Sequence, residues 1–268
     1  MKNRKLIIII NTVLIAVFVF AAFNIGKIYY DYNKVNKTYE AIQDEYIVTK
    51  EVESTSEVTQ GKVESTSEAT QGNDEQPPKS TEPPIAIDFD ALLNRNKDVI
   101  GWLYCPDTVI NYPVVQGKNN DQYLRKDLDG NYLVSGTLFA DYRNGALGED
   151  ANYIIYGHNM ENGTMFSSLA KYKQQSYYNQ HPIMYYLTPD GNYKLELFAG
   201  LVVKRDDKIY LPNQSEEEFA ELIEEYRAKS TFKSDIELEY NDTIVTLSTC
   251  SYEFDNARYI VIGRLIPV

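Results

Sequence analysis

Short apolar runs, separated by turn residues, occupy most of the chain after residue 98. β-Branched and aromatic residues dominate these runs, and Pro, Asp and Gly punctuate them, as at Pro189-Asp190-Gly191. This pattern predicts strands joined by tight turns. The predicted strands cover residues 99–104, 109–115, 138–140, 153–156, 183–187, 193–203, 243–249 and 259–265. Eight short strands with few helices predict a mainly β fold, an eight-stranded β-barrel.

A few peripheral helices are predicted between the strands, at residues 88–93, 165–178 and 215–229. The third begins with Ser215, whose hydroxyl caps the first turn, and Glu218 reaches back to complete a capping box. This helix is inserted before the strand at 243–249, which leads into a cysteine.

Residues 6–25 form an apolar run behind Lys2, Arg4 and Lys5. A helix of that length spans about 30 Å, the thickness of the hydrocarbon layer of a membrane. Because basic residues stay in the cytoplasm, we predict a cytoplasmic N-terminus at 1–5, a transmembrane signal anchor at 6–26 and an extracellular remainder. A cleaved signal peptide is the alternative, but the run is long and no A-x-A-like cleavage site follows it.

The composition changes again before the predicted barrel. Residues 27–50 are polar and tyrosine-rich, which indicates a juxtamembrane segment with some helical character. Residues 51–84 carry an eleven-residue unit that starts at Val52 and nearly repeats from Val63, with no apolar seam. Such content predicts a disordered stalk that sets the reach of a folded domain at 85–268.

Charge and residue clustering exclude several function classes. Acidic residues outnumber basic ones by 39 to 26, giving a net charge of −13. Nucleic-acid binding needs a basic face, so we predict no nucleic-acid partner. The sequence has no His/Cys/Asp/Glu cluster with metal-ligand spacing and no Gly-rich phosphate loop, so we predict no metal and no cofactor.

Three strand ends carry residues suited to acyl transfer. The run Thr-Leu-Ser-Thr ends on Cys250, and Arg258 follows eight positions later at the start of the next strand. A third strand, 153–156, leads into Gly157 and His158. A thiolate attacks carbonyl carbon, an imidazole transfers protons, and a guanidinium stabilises developing negative charge. Cys250, His158 and Arg258 therefore predict thiol acyl transfer.

Further motifs point to one family. They are NYPVVQG at 111–117, YGH at 156–158, TMF at 164–166 and TLSTC at 246–250 with the downstream Arg258. With these motifs, residues 98–265 resemble the class B sortases, membrane-anchored cysteine transpeptidases of Gram-positive bacteria. The helix at 215–229 is similar to the extra helix of this class. The resemblance implies a sortase-like barrel.

The resemblance also implies a reaction. Cys250 would cleave a C-terminal sorting signal of secreted proteins through a thioacyl intermediate, with His158 as acid and base and Arg258 beside the substrate carbonyl. The acceptor implied is a peptidoglycan amine, and a pilin amine stays open. A catalytically silent surface-binding barrel and a hydrolytic cysteine peptidase are the alternatives from other classes.

Weaker expectations concern the substrate groove. By the same resemblance, Asn120 and Leu124 line the sorting-signal pocket, and Ser248 shares a strand face with the nucleophile. The alternative is that the three are only structural, with Asn120 in a turn, Leu124 in the core and the Ser248 hydroxyl hydrogen-bonded within the barrel. The tract 204–210 is expected to form a groove wall.

Several other residues depart from the class pattern or are expected to have only structural roles. Class B patterns often carry an acidic residue directly after the cysteine, whereas this chain has Ser251 there and Glu253 two positions later, so the role of a neighbouring carboxylate stays open. Cys105 is expected to be structural, and a disulfide to Cys250 is not expected because it would block the nucleophile. His181 is expected in a loop. Arg264 lies on the same strand face as Arg258. Arg258 is favoured as the catalytic arginine because it stands at the strand end.

Overall fold

The computed structural model describes residues 2–49, 82–210 and 215–268. Within them, eight strands close into a barrel in the order β10-β8-β7-β3-β4-β5-β6-β9. The strands are β1 Ile47–Thr49, β2 Ile85–Ile87, β3 Val99–Tyr104, β4 Asn111–Val115, β5 Leu138–Ala140, β6 Asn152–Tyr156, β7 Ile183–Thr188, β8 Gly191–Lys204, β9 Ile244–Cys250 and β10 Ala257–Pro267. The β4–β5 and β6–β9 pairs are parallel, and the other pairs are antiparallel. The predicted eight-stranded barrel is confirmed.

The helices of the barrel follow the prediction with one correction. The inserted helix α4 covers Glu216–Lys229, and its capping box from Ser215 and Glu218 is present. The short helix α2 covers Phe89–Arg95. The single helix predicted at 165–178 is instead a 3₁₀ helix, Phe166–Lys173, followed by α3, Gln175–Gln180.

The reason for the 3₁₀ helix is the spacing of its apolar residues. Phe166, Leu169 and Tyr172 recur every third position, and all three are fully buried. A 3₁₀ helix places residues three apart on one line, so this spacing buries all three side chains together. Gln174 then adopts an extended conformation and separates the two helices.

Two apolar clusters hold the fold together. The larger one includes alternate residues of β9, such as Val245 and Leu247, and reaches the residues beneath α1. The smaller one lies between α4 and strands β8 and β10, with Phe219 and Ile223 of α4 against Ile260. Side chains alternate across a strand, so the β9 residues between the larger-cluster positions face the opposite side of the sheet. That face carries Cys250.

Helix α1 runs without a break over Lys2–Tyr46. It is the helix in the described part of the chain that is long and apolar enough to cross a membrane. Its C-terminal part packs on the barrel and buries Val35, Tyr39, Ile42 and Tyr46. Their four- and three-residue spacing forms one helical stripe. The polarity of residues 27–50 had indicated helical character, but this packing was not predicted.

The segment predicted as a stalk begins and ends at one place. Residues 51–81 of this segment lie outside the described residues. Strand β1, just before it, pairs antiparallel with β2, just after it, and Thr49 stands opposite Ile85. Because its two ends are held side by side, this segment does not separate the barrel from α1. The disordered stalk itself stays a prediction, because most of it lies outside the described residues.

Candidate active site

The ends of β9 and β10 bring Cys250 and Arg258 face to face. These two residues are direct partners in the antiparallel register. Side chains of directly opposed residues lie on the same face of a sheet, with Cβ atoms about 5 Å apart. A hairpin over residues 251–257 therefore places the side chains of Cys250 and Arg258 on one face of the sheet, and Arg258 Nη1 donates to the carbonyl oxygen of Ala257 at 2.9 Å.

The parallel pair of β6 and β9 brings His158 to the same edge. Tyr156 is the register partner of Ser248, and His158 and Cys250 each follow two residues later. Three hydrogen bonds hold these two segments together near their ends. Gly157 N donates to Ser248 O at 3.1 Å, Thr249 Oγ1 donates to Gly157 O at 2.8 Å, and Asn159 Nδ2 donates to Cys250 O at 3.0 Å.

All six predicted site residues line a single groove of about 340 Å³. These are Asn120, Leu124, His158, Ser248, Cys250 and Arg258. The structure thus brings together residues that are up to 138 positions apart in the sequence. Its volume lies in the range of ligand-binding pockets.

The groove also contains residues that the sequence analysis did not assign. Phe139, Tyr156, Arg205 and Tyr210 contribute to its walls. Arg205 and Tyr210 come from the tract 204–210 that was expected to form a wall. Tyr156 ends β6, two residues before His158, so alternation continued past the strand end could have identified it. Phe139 had no such signal, because its strand has only three residues.

A backbone carbonyl orients the imidazole. Nε2 of His158 lies 2.9 Å from the carbonyl oxygen of Leu124. A carbonyl only accepts hydrogen bonds, so Nε2 carries a proton and Nδ1 is the ring nitrogen left to exchange protons. Burial lowers the pKa of His158 below its ordinary value, although the Leu124 hydrogen bond opposes that shift. The imidazole is therefore neutral at neutral pH and able to accept a proton.

Asn120 and Ser248 belong to a polar network behind the groove. Its centre is Asp141, which is fully buried and accepts hydrogen bonds from Asn120 Nδ2 at 3.1 Å and the Tyr156 hydroxyl at 2.9 Å. Arg143 binds both carboxylate oxygens of Asp141 at 2.8 Å and also donates to Tyr210 O.

The Tyr210 hydroxyl completes this network at Ser248, 2.7 Å from its Oγ. Burial raises the pKa of Tyr210 to about 12, which keeps the hydroxyl neutral. Ser248 is therefore a buried, hydrogen-bonded hydroxyl, which agrees with the structural role weighed in the sequence. It also lines the groove.

The carboxylate three positions after Cys250, that of Glu253, contacts a lysine. Glu253 forms an ion pair with Lys173 and accepts a hydrogen bond from the Ser251 hydroxyl. Lys173, followed by Ser251, lowers the pKa of Glu253 to about 2. These contacts hold the loop after Cys250 against the 3₁₀ helix that contains Lys173.

Three other residues weighed in the sequence lie outside the groove. Cys105 is buried against the Tyr172 hydroxyl, and neither it nor Cys250 forms a disulfide. His181 ends α3 and packs on the ring of Tyr177. Arg264 pairs with Glu196 at 2.8 Å, away from the thiol. No group of acidic, histidine and cysteine residues able to hold a metal occurs within residues 2–49, 82–210 and 215–268.

Gly157 permits the close approach that places His158. A Cβ atom at this position would lie 2.4 Å from Leu138 Cδ2 and 2.7 Å from Phe166 Cδ2. Gly157→Ala is expected to lower the free energy of unfolding by about 1–3 kcal/mol, because overpacking forces backbone shifts. The measurement is urea unfolding, alongside the rate of peptide cleavage.

Gly191 offers the matched control for this substitution. A Cβ atom there meets nothing within 4 Å. Gly191→Ala is therefore expected to leave stability unchanged or raise it slightly. Equal effects of the two substitutions would contradict a packing role for Gly157.

Known proteins are similar to this chain in sequence and in fold. The Sortase domain family matches residues 103–266. Sortase B of Staphylococcus aureus is 34% identical over 183 residues, which cover 67% of this chain and 75% of that protein. Sortase B of Listeria monocytogenes is 36% identical over 179 residues, covering 65% and 72%. This chain belongs to the class B sortases.

The solved structures agree with that membership. A structure of the Staphylococcus aureus sortase B–substrate complex superposes on this class B sortase with a TM-score of 0.64 and 33% identity. The match covers 67% of this chain and 85% of the other. The protein is thus a sortase enzyme, of a family that binds a sorting-signal substrate and an amine acceptor. The resemblance seen in the sequence is confirmed at the level of family and fold.

Proposed function

We propose that this sortase cleaves a C-terminal sorting signal of secreted proteins and transfers the new acyl end, through a thioester on Cys250, to a cell-wall peptidoglycan amine. The observation that carries this proposal is the register pairing of Cys250 with Arg258, with His158 at the same edge on the neighbouring strand. A nucleophile, a proton carrier and a fixed cation then meet in one groove.

In the first half-reaction, His158 accepts the thiol proton and the sulfur of Cys250 attacks the scissile carbonyl carbon. Negative charge moves onto the carbonyl oxygen, where the guanidinium of Arg258 stabilises it. The imidazolium of His158 then protonates the departing amine as the peptide bond breaks. The products are a thioester on Cys250 and a released C-terminal peptide.

In the second half-reaction, the neutral imidazole removes a proton from the incoming amine. The amine nitrogen attacks the thioester carbonyl, and the thiol leaves with the proton returned by His158. The lowered pKa of His158 supports this step, because a neutral base must be present when the amine arrives.

The proposed place of this reaction is the outer face of the cell membrane. Helix α1 provides the candidate span, and its N-terminus carries Lys2, Arg4 and Lys5. Basic residues remain on the cytoplasmic side, which sends the barrel outside. Secreted proteins that bear a sorting signal are the proposed partners.

The proposal is tested by intact-mass spectrometry of the full chain in detergent, incubated with a library of sorting-signal peptides. We expect an acyl adduct on the wild-type chain that is absent from Cys250→Ala. Addition of an amine should convert the adduct to a ligated product. Peptidoglycan stem peptides and pilin-like lysine peptides, compared as acceptors, separate the two acceptor classes.

Two outcomes would overturn the proposal. If a methanethiosulfonate reagent labels Cys250 but no peptide forms an adduct, the barrel binds without transferring. If the adduct is released by water at the same rate with and without amines, the protein is a hydrolytic peptidase.

A further inference from the structure

We propose that the loops beside the catalytic residues lie against the lipid headgroup layer, so that the active site operates at the membrane surface. This inference rests on the proposed membrane span of α1. It concerns a surface outside the groove, formed by the loops that follow His158 and Cys250, by the loop between β4 and β5, and by residues of α1. Tyr29, Tyr30, Tyr132 and Tyr252 are its exposed aromatic members, and they are called the tyrosine rim below.

Contacts place both catalytic loops beside one short stretch of α1. The Tyr32 hydroxyl donates to Glu161 Oε2 at 3.4 Å, in the loop after His158. Asn162, in the same loop, donates to Asn36 Oδ1 at 3.4 Å. Burial and Glu161 raise the pKa of Tyr32, and Tyr252, two residues after Cys250, lies near enough to add to that shift. The active-site loops therefore meet α1 between residues 32 and 36.

The order of contacts along α1 shows which end of the barrel faces the span. Tyr46 O accepts from Asp88 N, and Glu45 pairs with Arg95, so the C-terminal end of α1 sits at α2. Tyr32 lies about 20 Å back along the helix axis, toward the apolar run. The catalytic loops are thus at the end of the barrel nearest the membrane, and α2 is at the far end.

The distance from the apolar run is short. The run ends at Ile25, and Tyr32 follows seven residues later in the same unbroken helix. At the rise of an α-helix this separation is about 10 Å. The headgroup layer outside the hydrocarbon is about 5–8 Å thick on each side. The loops that contact Tyr32 therefore stand at the outer border of that layer.

The tyrosine rim has the composition of a membrane interface. Tyr29, Tyr30, Tyr132 and Tyr252 expose 73, 68, 63 and 79% of their surface. Tyr132 is tied to α1 through its carbonyl, which accepts from Lys34 Nζ at 2.8 Å. Tyrosines concentrate where a protein meets lipid headgroups, because the ring is apolar and the hydroxyl is polar. Two members of the rim, Tyr29 and Tyr30, belong to α1 itself and precede the part of the helix that packs on the barrel.

Pairing of β1 with β2 keeps this geometry independent of the repeat-containing segment. Helix α1 alone joins the span to the barrel, since the chain leaves at Thr49 and returns at Ile85 in the same small sheet. A substrate would then be cleaved close to the lipid surface rather than at the distance that residues 51–84 could reach. This restricts substrates to segments still held near the membrane.

The test uses the full chain in vesicles of phosphatidylcholine and phosphatidylglycerol that contain nitroxide-headgroup lipid. In a Cys250→Ser background, a fluorophore is attached at Tyr252→Cys or at Asp90→Cys, which lies on α2 at the far end. Nitroxide quenching acts over short distances. We expect loss of fluorescence at position 252 and none at position 90, because the second probe lies about 20 Å further from the lipid.

A chain lacking residues 52–81 provides the second arm. The five residues left between Thr49 and Ile85 suffice for a hairpin loop, so β1 and β2 still pair. We expect the same quenching at both positions as in the full chain. A spacer role for the segment would instead bring position 90 into quenching range when it is deleted.

Each failure has a distinct signature. Equal quenching at the two positions, or stronger quenching at position 90, would overturn the orientation while the chain still floats with vesicles. A chain that does not float with vesicles would overturn the membrane span and this inference together. Peptide acylation in detergent, measured separately with Cys250 intact, reports on the transferase function in either case.

Discussion

Replacing Arg258 by alanine is expected to lower kcat/KM for peptide cleavage by about 10²–10³-fold, the usual loss for one preorganised oxyanion donor. Arg258 is the register partner of Cys250, and both line the groove. In the proposed reaction, the substitution removes the cation that stabilises the carbonyl oxygen as it becomes negative during attack. The measurement is steady-state cleavage of a quenched sorting-signal peptide, supported by the rate of adduct formation on Cys250.

Arg264 provides a matched control on the same strand. It lies six positions later and is held by Glu196 at 2.8 Å and by Asp242 at 3.8 Å, outside the groove. Arg264→Ala is therefore expected to change stability slightly and kcat/KM not at all. Similar losses at both arginines would show that Arg258 acts through the fold and not at the reacting carbonyl.

Replacing Asp141 by alanine is expected to lower the free energy of unfolding by about 3 kcal/mol, the lower end for breaking a buried ion pair. The Asp141 side chain is fully buried, while that of Arg143 is 39% exposed and can regain water after the change. The substitution also frees Tyr156 and Asn120, two residues of the groove. Urea unfolding at neutral pH measures the loss.

Asp129 provides a control with the same pair geometry at the surface. Arg95 contacts its two carboxylate oxygens at 2.8 Å, as Arg143 does for Asp141, but the Asp129 side chain is 45% exposed. Asp129→Ala is expected to cost less than about 1 kcal/mol, because water screens an exposed pair. Equal losses at the two positions would contradict a central role for the buried carboxylate.

Asp141 also gives stability a predictable dependence on pH. Burial alone would raise the pKa of Asp141, but hydrogen bonds from Arg143 and Tyr156 outweigh it and hold the pKa below its ordinary value. The unfolded state therefore binds a proton first as pH falls, so this stabilisation is present above about pH 4 and is lost below it. Asp141→Asn is expected to flatten that part of a pH series of urea unfolding.

Asp141→Asn also distinguishes an effect on the groove wall from an effect on the reactivity of the Cys250 thiol. Asp141 does not line the groove, and its network holds the wall formed by Tyr156 and Tyr210. Asp141→Asn is expected to raise KM for the peptide while the rate of methanethiosulfonate labelling of Cys250 stays unchanged. A parallel fall in labelling would place the effect at the thiol instead.

Local sequence patterns were sufficient for much of the fold. Short β-branched runs and turn residues predicted the strands of the barrel, because strand propensity and turn geometry are set by neighbouring residues. The capping box at Ser215 marked the start of α4 for the same reason. The helix predicted at 165–178 was wrong in type because tertiary burial of every third residue favoured a 3₁₀ helix.

The family motifs pointed to His158, Cys250 and Arg258 as candidate catalytic residues. The residues around these three depend on contacts that leave little trace in the sequence. The carbonyl of Leu124 orients His158, and any residue type could provide a carbonyl there. Asp141 stood outside every motif, and only its complete burial among hydrogen-bond donors marks it. The stripe of α1 residues became meaningful once a barrel surface lay against it.

The sequence by itself determined the fold class, the inserted helix and the order of the reactive residues, because these depend on local propensity and on motif spacing. Tertiary structure alone decided that β6 and β9 pair in parallel, which sets His158 beside Cys250 across 92 positions. It also decided that β1 and β2 join the ends of the repeat-containing segment. Both results rest on hydrogen bonds between distant backbone groups, and backbone groups are the same for nearly every residue type.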